Sequence, residues 1–464
     1  MFSAPISVTD TRVHAEALTE LGSWAHSFSL EDLSPAARTA LDDVLANLLA
    51  VALAGANTVE HQALITAWQV EPGSATLFGG GSATAETAAW LNGVASVALE
   101  RDEGNRLTKG HPASQSFFAV LALAEKVGAS GRDTLTALAV AYEIGARFGR
   151  ATTFAAGVHT HGTFGVPGAA AGCALLLGLD AAGISLAIDT GCALPLSTNW
   201  GTVRAGSSVR DQWIGAGNSA GLAAARFALA HPSESVRGTL PGFGGNLGVV
   251  DTEVLLTGLG TATLIEHGYF KRHSACAYTH GPADASLLAR DELASLDAEV
   301  SDITAITVET VAAGVALADT SWDSRHGAYF SVPFAVSSAL THGDVNQHRA
   351  DPEHSKALLE LASRVTVTDL SDFELPSPTH RPARVTVTVA DGRQIVSEVA
   401  HPLGDADLSP FDYEEKAALL DDILADTHTA TPDLSAELVL AVVLRLATAS
   451  RAGDQLARLR HPQL

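Results

Sequence analysis

The sequence predicts a mainly helical protein that carries one smaller α+β segment. Three observations lead there. Ala-rich runs with helical spacing fill residues from about 10 to 265, β-branched alternating runs begin after about residue 268, and the helical pattern returns from Ser409 onward. Strands segregated from helices in this way belong to an α+β arrangement, not to alternating βαβ units. The chain's 464 residues, 47% of them hydrophobic, are enough for two or three domains with sizeable cores.

Taken in order, Ser34-Pro35 offers an N-cap followed by Pro at the first helical position, opening a helix that runs to Gly55. Further helices are predicted over 83–99, 114–127, 131–150, 165–177 and 216–230. Gly168 and Gly172 lie one turn apart and would let a second helix approach closely. Residues 303–311, 364–368 and 384–389 read as β-branched strands with alternating faces. Asp391-Gly392 supplies the positive φ angles of a hairpin turn, so 394–399 is the return strand. Short helices are expected around 335–340 and 355–362. Two last helices, 413–427 and 435–449, should pack back on the first domain.

Composition removes several function classes. A net charge of −24 with no basic stripe argues against nucleic-acid binding. The first twenty residues lack the basic and apolar regions of a signal peptide. The apolar run 44–56 is short and broken by Asn47, and 160–179 contains His161, Gly162, Pro167 and Gly168. Both read as buried helices, so no membrane span and a cytoplasmic location are expected. Cys173, Cys192 and Cys276 are far apart with no CxxC pair, which predicts neither a zinc site nor a disulfide framework. Gly79-Gly-Gly-Ser82 and Gly242-Phe-Gly-Gly-Asn246 lack the context of phosphate or dinucleotide loops and read as turns. The expectation is chemistry without a metal or cofactor.

Two short stretches concentrate reactive groups: Glu100-Arg-Asp-Glu-Gly-Asn-Arg-Leu-Thr-Lys-Gly-His111-Pro and Lys271-Arg-His-Ser-Ala-Cys-Ala-Tyr-Thr-His280. The chain has only five lysines, and Lys109 and Lys271 fall in these stretches. Cations and imidazoles gathered in an acidic protein suggest a site for an anionic substrate beside proton-transfer groups. The plainer reading is a pair of solvated polar loops. Gly157-Val-His-Thr-His-Gly-Thr163 adds His159 and His161 just before an uncharged helix. Tyr142 sits on a helix and fits either a core or a site. Arg210 is a carboxylate clamp or the partner of a nearby acid.

Taken together, these segments resemble the MmgE/PrpD family over nearly the whole chain. The likeness covers Leu49-Ala-Val-Ala-Leu-Ala-Gly55, Asn92-Gly93, the acidic run ending Gly110-His-Pro112 and Gly128-Ala-Ser-Gly131. It continues through Tyr142, the loop from His159 to Gly165, Leu176-Leu-Gly-Leu-Asp180 and Cys276 with Thr279-His280. It ends with Phe330-Ser-Val-Pro-Phe334 and Val387-Thr-Val-Ala-Asp-Gly-Arg393. Members include dehydratases, decarboxylases and epimerases of small carboxylates such as 2-methylcitrate, cis-aconitate and iminodisuccinate. The resemblance implies a large helical domain built from both chain ends (1–267 and 401–464) and an α+β lid (268–400), with the active site in the cleft between. It also implies a homodimer that needs no metal.

By position, Asp102, His111, His159, Lys271 and His280 match the family's carboxylate, loop histidines, lysine and lid histidine, with Tyr142 the sixth catalytic candidate. Lys109, His161, Arg210 and His273 are the expected substrate-binding residues. The chain departs from the family's pattern at several places. Gly104-Asn105 stands where decarboxylases carry threonine, Arg210 stands for a lysine, Trp213 for a histidine and Ala277 for an arginine. A missing arginine removes one carboxylate clamp and favours a dicarboxylate. The expected activity is therefore a lyase on a small carboxylate. An epimerase with acid–base groups on both faces, such as Tyr142 opposite Lys271, is the alternative, and a non-catalytic binding protein is the third reading.

Overall fold

The computed structural model describes residues 8–370, 379–425 and 434–460. Helix outweighs strand by 58% to 10%, so the mainly helical class holds. The helix Pro35–Ala56 runs through the larger core, with every residue from 44 to 56 buried. Its start is set locally: the Ala37 N–H donates to the Ser34 hydroxyl at 3.0 Å, and Pro35 occupies the first turn. Among the described residues it is the one helix long and apolar enough to cross a membrane, and 78% of its apolar window lies inside the protein. The helices Ala85–Val97, Tyr413–Leu424 and Ala436–Leu446 pack on it, so both ends of the chain share one core. Positions 426 and 427 of the predicted helix 413–427 lie outside the described residues.

Helix Gly131–Ala151 packs closely on Gly165–Leu176. A Cβ on Gly168 would fall 2.4 Å from the Ala141 carbonyl oxygen, and one on Gly172 2.7 Å from that of Ala137. Only hydrogen fits there, as the spacing of the two glycines implied.

The second core belongs to the α+β segment. Its four strands lie in the order Gln394–Val399, Ala383–Val389, Ile303–Thr310, Val365–Asp369. The first two pairs are antiparallel and the last pair is parallel. Ala383–Val389 alternates between buried and half-buried positions along its length, as a strand with one covered face should. Helix His280–Ser295 covers that face and packs against Val332–His342.

Two expectations change. The helix predicted from residue 216 begins at Val209, because Arg210 and Asp211 turn inward and a boundary drawn from apolar spacing misses them. Gly242–Asn246 is not a turn but part of the helix Leu240–Leu247, where buried Leu240, Phe243 and Leu247 override the poor helix propensity of glycine. A two-residue ribbon unseen in the sequence pairs Gly104–Asn105 with Gly268–Tyr269. That ribbon positions the site.

Candidate active site

After helix Ala85–Val97 the chain turns at Glu100, held at φ 53, and buries Glu100 to Glu103 in succession. A left-handed non-glycine residue is strained and persists only where its surroundings fix it. The ribbon then brings the two charged stretches together. A Cβ on Gly104 would lie 2.3 Å from the Tyr269 ring, so glycine is what admits that ring. Two residues past Tyr269, the Lys271 ammonium donates to Glu100 at 2.8 Å and to Asp102 at 3.2 Å. Arg210 reaches the other oxygen of Glu100 at 2.8 Å and Asp211 at 3.0 Å.

The network fixes its own charges. Burial alone would raise the Glu100 pKa, but Arg210 and Lys271 hold that carboxyl well below the usual range. Burial alone would neutralise Lys271, yet Asp102 and Glu100 keep it an ammonium ion with a raised pKa. Lys271 is therefore a fixed charge and not a proton acceptor at neutral pH.

The His111 Nδ1 lies 2.6 Å from the Glu103 carbonyl oxygen and 3.1 Å from an Asp102 carboxylate oxygen. Both neighbours are acceptors, so Nδ1 carries the hydrogen and Nε2 the lone pair. The Ser114 hydroxyl donates to Asp102 at 3.2 Å and helps to hold it. Burial lowers the His111 pKa, which keeps the ring neutral at pH 7. His161 and His159 have the opposite tautomer. The Arg210 guanidinium donates to His161 Nδ1 at 3.5 Å, and the His161 backbone N–H donates to His159 Nδ1 at 3.3 Å. Each Nε2 is then an N–H donor, and burial pushes both rings well below the usual histidine range. The three rings form a series, with centroids 5.2 Å apart for His111–His161 and 4.4 Å for His159–His161. Trp200 and Trp213 brace His159 at 4.5 and 5.6 Å.

These rings line a cleft of ≈ 730 Å³ whose opposite wall comes from the α+β segment through Tyr269, Cys276, Tyr278 and Phe330. Burial raises the Cys276 thiol to about 11, so it is no thiolate nucleophile at pH 7. Lys109 and Arg150 also line the cleft, and among the described residues neither makes an ion pair. The donor atoms of Glu100, Asp102 and His111 fall within 4.8 Å of one another, close enough for a metal ion. The Lys271 ammonium already bonds both carboxylates and fills the cation's place.

The structure thus brings Asp102, His111 and Lys271 into contact, with Arg210 joined through Glu100 and His159 and His161 alongside. The expected clamps Arg210 and Lys271 are engaged by the protein's own carboxylates. His273 and His280 form a separate pair, 5.1 Å apart, and neither lines the cleft. His273 Nε2 faces Asp284 at 2.9 Å, and His280 Nε2 faces the Ala275 carbonyl at 3.2 Å. Tyr142 is fully buried, accepts a hydrogen bond from Asn105 at 3.2 Å and does not reach the cleft. Burial holds its hydroxyl pKa well above 10. Sequence reasoning missed Glu100, although it heads the acidic run, and also Glu103 and Arg150. The Glu103 carboxyl accepts from the Ala113 N–H at 3.1 Å, and burial raises its pKa to about 8.

Fold and site together define a mainly helical protein with a buried carboxylate–imidazole–ammonium centre in a cleft. The MmgE/PrpD N-terminal domain matches residues 19–232 and the MmgE/PrpD C-terminal domain matches residues 273–440. The two matches cover most of the chain, and the protein belongs to the MmgE/PrpD family. Members of that family are generally enzymes that act on carboxylates.

Proposed function

We propose that the protein is a metal-independent lyase, a dehydratase or decarboxylase, acting on a small di- or tricarboxylate of the citrate/aconitate type. One observation carries the reading: the orientation of His111, whose Nδ1–H is fixed by Asp102 and the Glu103 carbonyl. That leaves Nε2 as a base on a residue that lines the cleft. A C–H beside a carboxylate is a very weak acid, so a positioned base needs electrostatic help. In a dehydration, His111 Nε2 takes the proton from that carbon. The C–H electron pair becomes the new C=C bond, the C–O bond breaks, and the imidazolium returns its proton to the departing hydroxide as water. Meanwhile the N–H groups of His159 and His161 donate to the carboxylate oxygens, where negative charge builds up. Asp102 stabilises the transient imidazolium.

An epimerase would need acid–base groups on opposing faces. Tyr142 opposite Lys271 does not supply them, since Tyr142 is buried away from the cleft and Lys271 is held by two carboxylates. With the lyase reading we propose a homodimeric, cytoplasmic protein, for which sedimentation should give about twice the 47.8 kDa chain mass. The test of function is a panel of polycarboxylates in deuterated water with EDTA, followed by NMR. New alkene or lost CO2 supports the lyase. Deuterium uptake with inverted handedness would replace it by an epimerase, and binding without any change by a non-catalytic protein.

A further inference from the structure

We infer that Lys109 and Arg150 bind the second carboxylate of a dicarboxylate substrate, an inference that rests on the proposed carboxylate chemistry of this cleft. The accounting of charge leads there. Lys271 and Arg210 face Glu100, Asp102 and Asp211, so two cations already meet three carboxylates. That centre has no positive charge to spare for an incoming anion. Arg106 is tied to Asp405 and Asp407, and Arg381 stacks on Tyr269 at 4.2 Å with Asp405 3.6 Å away. Among the described residues Lys109 and Arg150 are the cleft cations left over.

Their placement is built, not incidental. Arg150 lies in the last turn of helix Gly131–Ala151, and a Cβ on its neighbour Gly149 would stand 2.9 Å from Thr108 Cβ. The end of that helix therefore packs directly on the loop that carries Lys109. That loop holds Lys109 at φ 58, a conformation that side chains other than glycine resist. It is closed by the Asn105 N–H donating to Gly110 O at 2.8 Å and by the Thr160 hydroxyl donating to Lys109 O at 3.2 Å. Two residues further on is His111, so the same loop presents the base and a cation. An ammonium and a guanidinium carried into one cleft from these adjoining segments suit one carboxylate. Among the described residues a third carboxylate would find Arg106 and Arg381, both already shared with Asp405. The substrate class is thus a dicarboxylate.

The experiment is calorimetric titration of the full chain with succinate, butyrate and tricarballylate at fixed ionic strength. Succinate should bind at least about tenfold more tightly than butyrate, and tricarballylate no more tightly than succinate. Lys109→Ala and Arg150→Ala should each weaken succinate about tenfold, and Arg150→Lys should recover part of the loss. Unchanged succinate affinity in both alanine variants, no preference for succinate over butyrate, or a clear preference for tricarballylate would overturn the inference. Binding needs no turnover, so this result stands apart from that of the alkene and CO2 assay.

Discussion

Lys271→Met removes the one ammonium group that holds Glu100 and Asp102 side by side in the interior. The wild-type lysine donates to them at 2.8 and 3.2 Å, and all three side chains are buried. Glu100 keeps Arg210 as a partner after the change. Among the described residues Asp102 keeps His111 and Ser114 as partners. Removing one member of a buried ion pair typically costs about 3–5 kcal/mol, because the remaining charge is left in a poorly polarisable site. The loss should depend on pH with a definite sign. Stranded buried carboxyls have raised folded-state pKa values, so the penalty is absent below their unfolded pKa and grows as pH rises through the folded one. Urea denaturation at pH 5.5 and pH 8 should therefore show the variant losing more stability at pH 8. Lys271 also opposes protonation of His111, so its removal should shift the acid limb of any activity profile to higher pH. A loss below about 1 kcal/mol at both pH values, or a larger loss at pH 5.5, would refute the reasoning.

Because burial lowers the His111 pKa, the acid limb of kcat/KM in the wild type should lie below the ordinary histidine value of 6.5, and a limb centred above 7 would exclude His111 as the base. Glu103 has a folded pKa raised from 4.5 to about 8, so its favourable contribution is complete below 4.5 and fades as pH climbs toward 8. Glu103→Gln should consequently gain stability relative to wild type between pH 5 and 8 in denaturant titrations, and parallel curves would contradict this. Gly168→Ala forces a methyl group to 2.4 Å from Ala141 O and should cost about 1–3 kcal/mol in the same assay. Gly245→Ala is the contrast: it is exposed on helix Leu240–Leu247 with nothing within 4 Å, so it should be neutral or gain about 0.5–1 kcal/mol.

The parts of the fold legible in the sequence are those with strong local chemistry. Ser34-Pro35 marked a helix start, Asp391-Gly392 marked a hairpin, and Gly168 with Gly172 marked a close helix crossing. The site was legible where charge was concentrated: Asp102, His111 and Lys271 lie in the two dense stretches and do meet. What the sequence hid depends on long-range pairing. Arg210 read equally as a clamp or as the partner of an acid, because nothing local says that Glu100 lies 2.8 Å away. Arg150 was not singled out, because a last helical turn is a favourable place for any cation. His273 and His280 share a stretch with Lys271, yet they face Asp284 and the Ala275 carbonyl and do not line the cleft. The helix Leu240–Leu247 was invisible because its glycines argue for a turn and only its buried apolar contacts argue for a helix.

The central claim is that His111 Nε2, oriented by Asp102, moves the proton. His111→Asn keeps a group able to donate to the Glu103 carbonyl and removes the base. In deuterated water, with whichever carboxylate of the panel the wild type turns over, this variant should convert substrate at least about 100-fold more slowly while its melting curve stays cooperative. Turnover within about tenfold of wild type, from a variant that folds, would contradict the account.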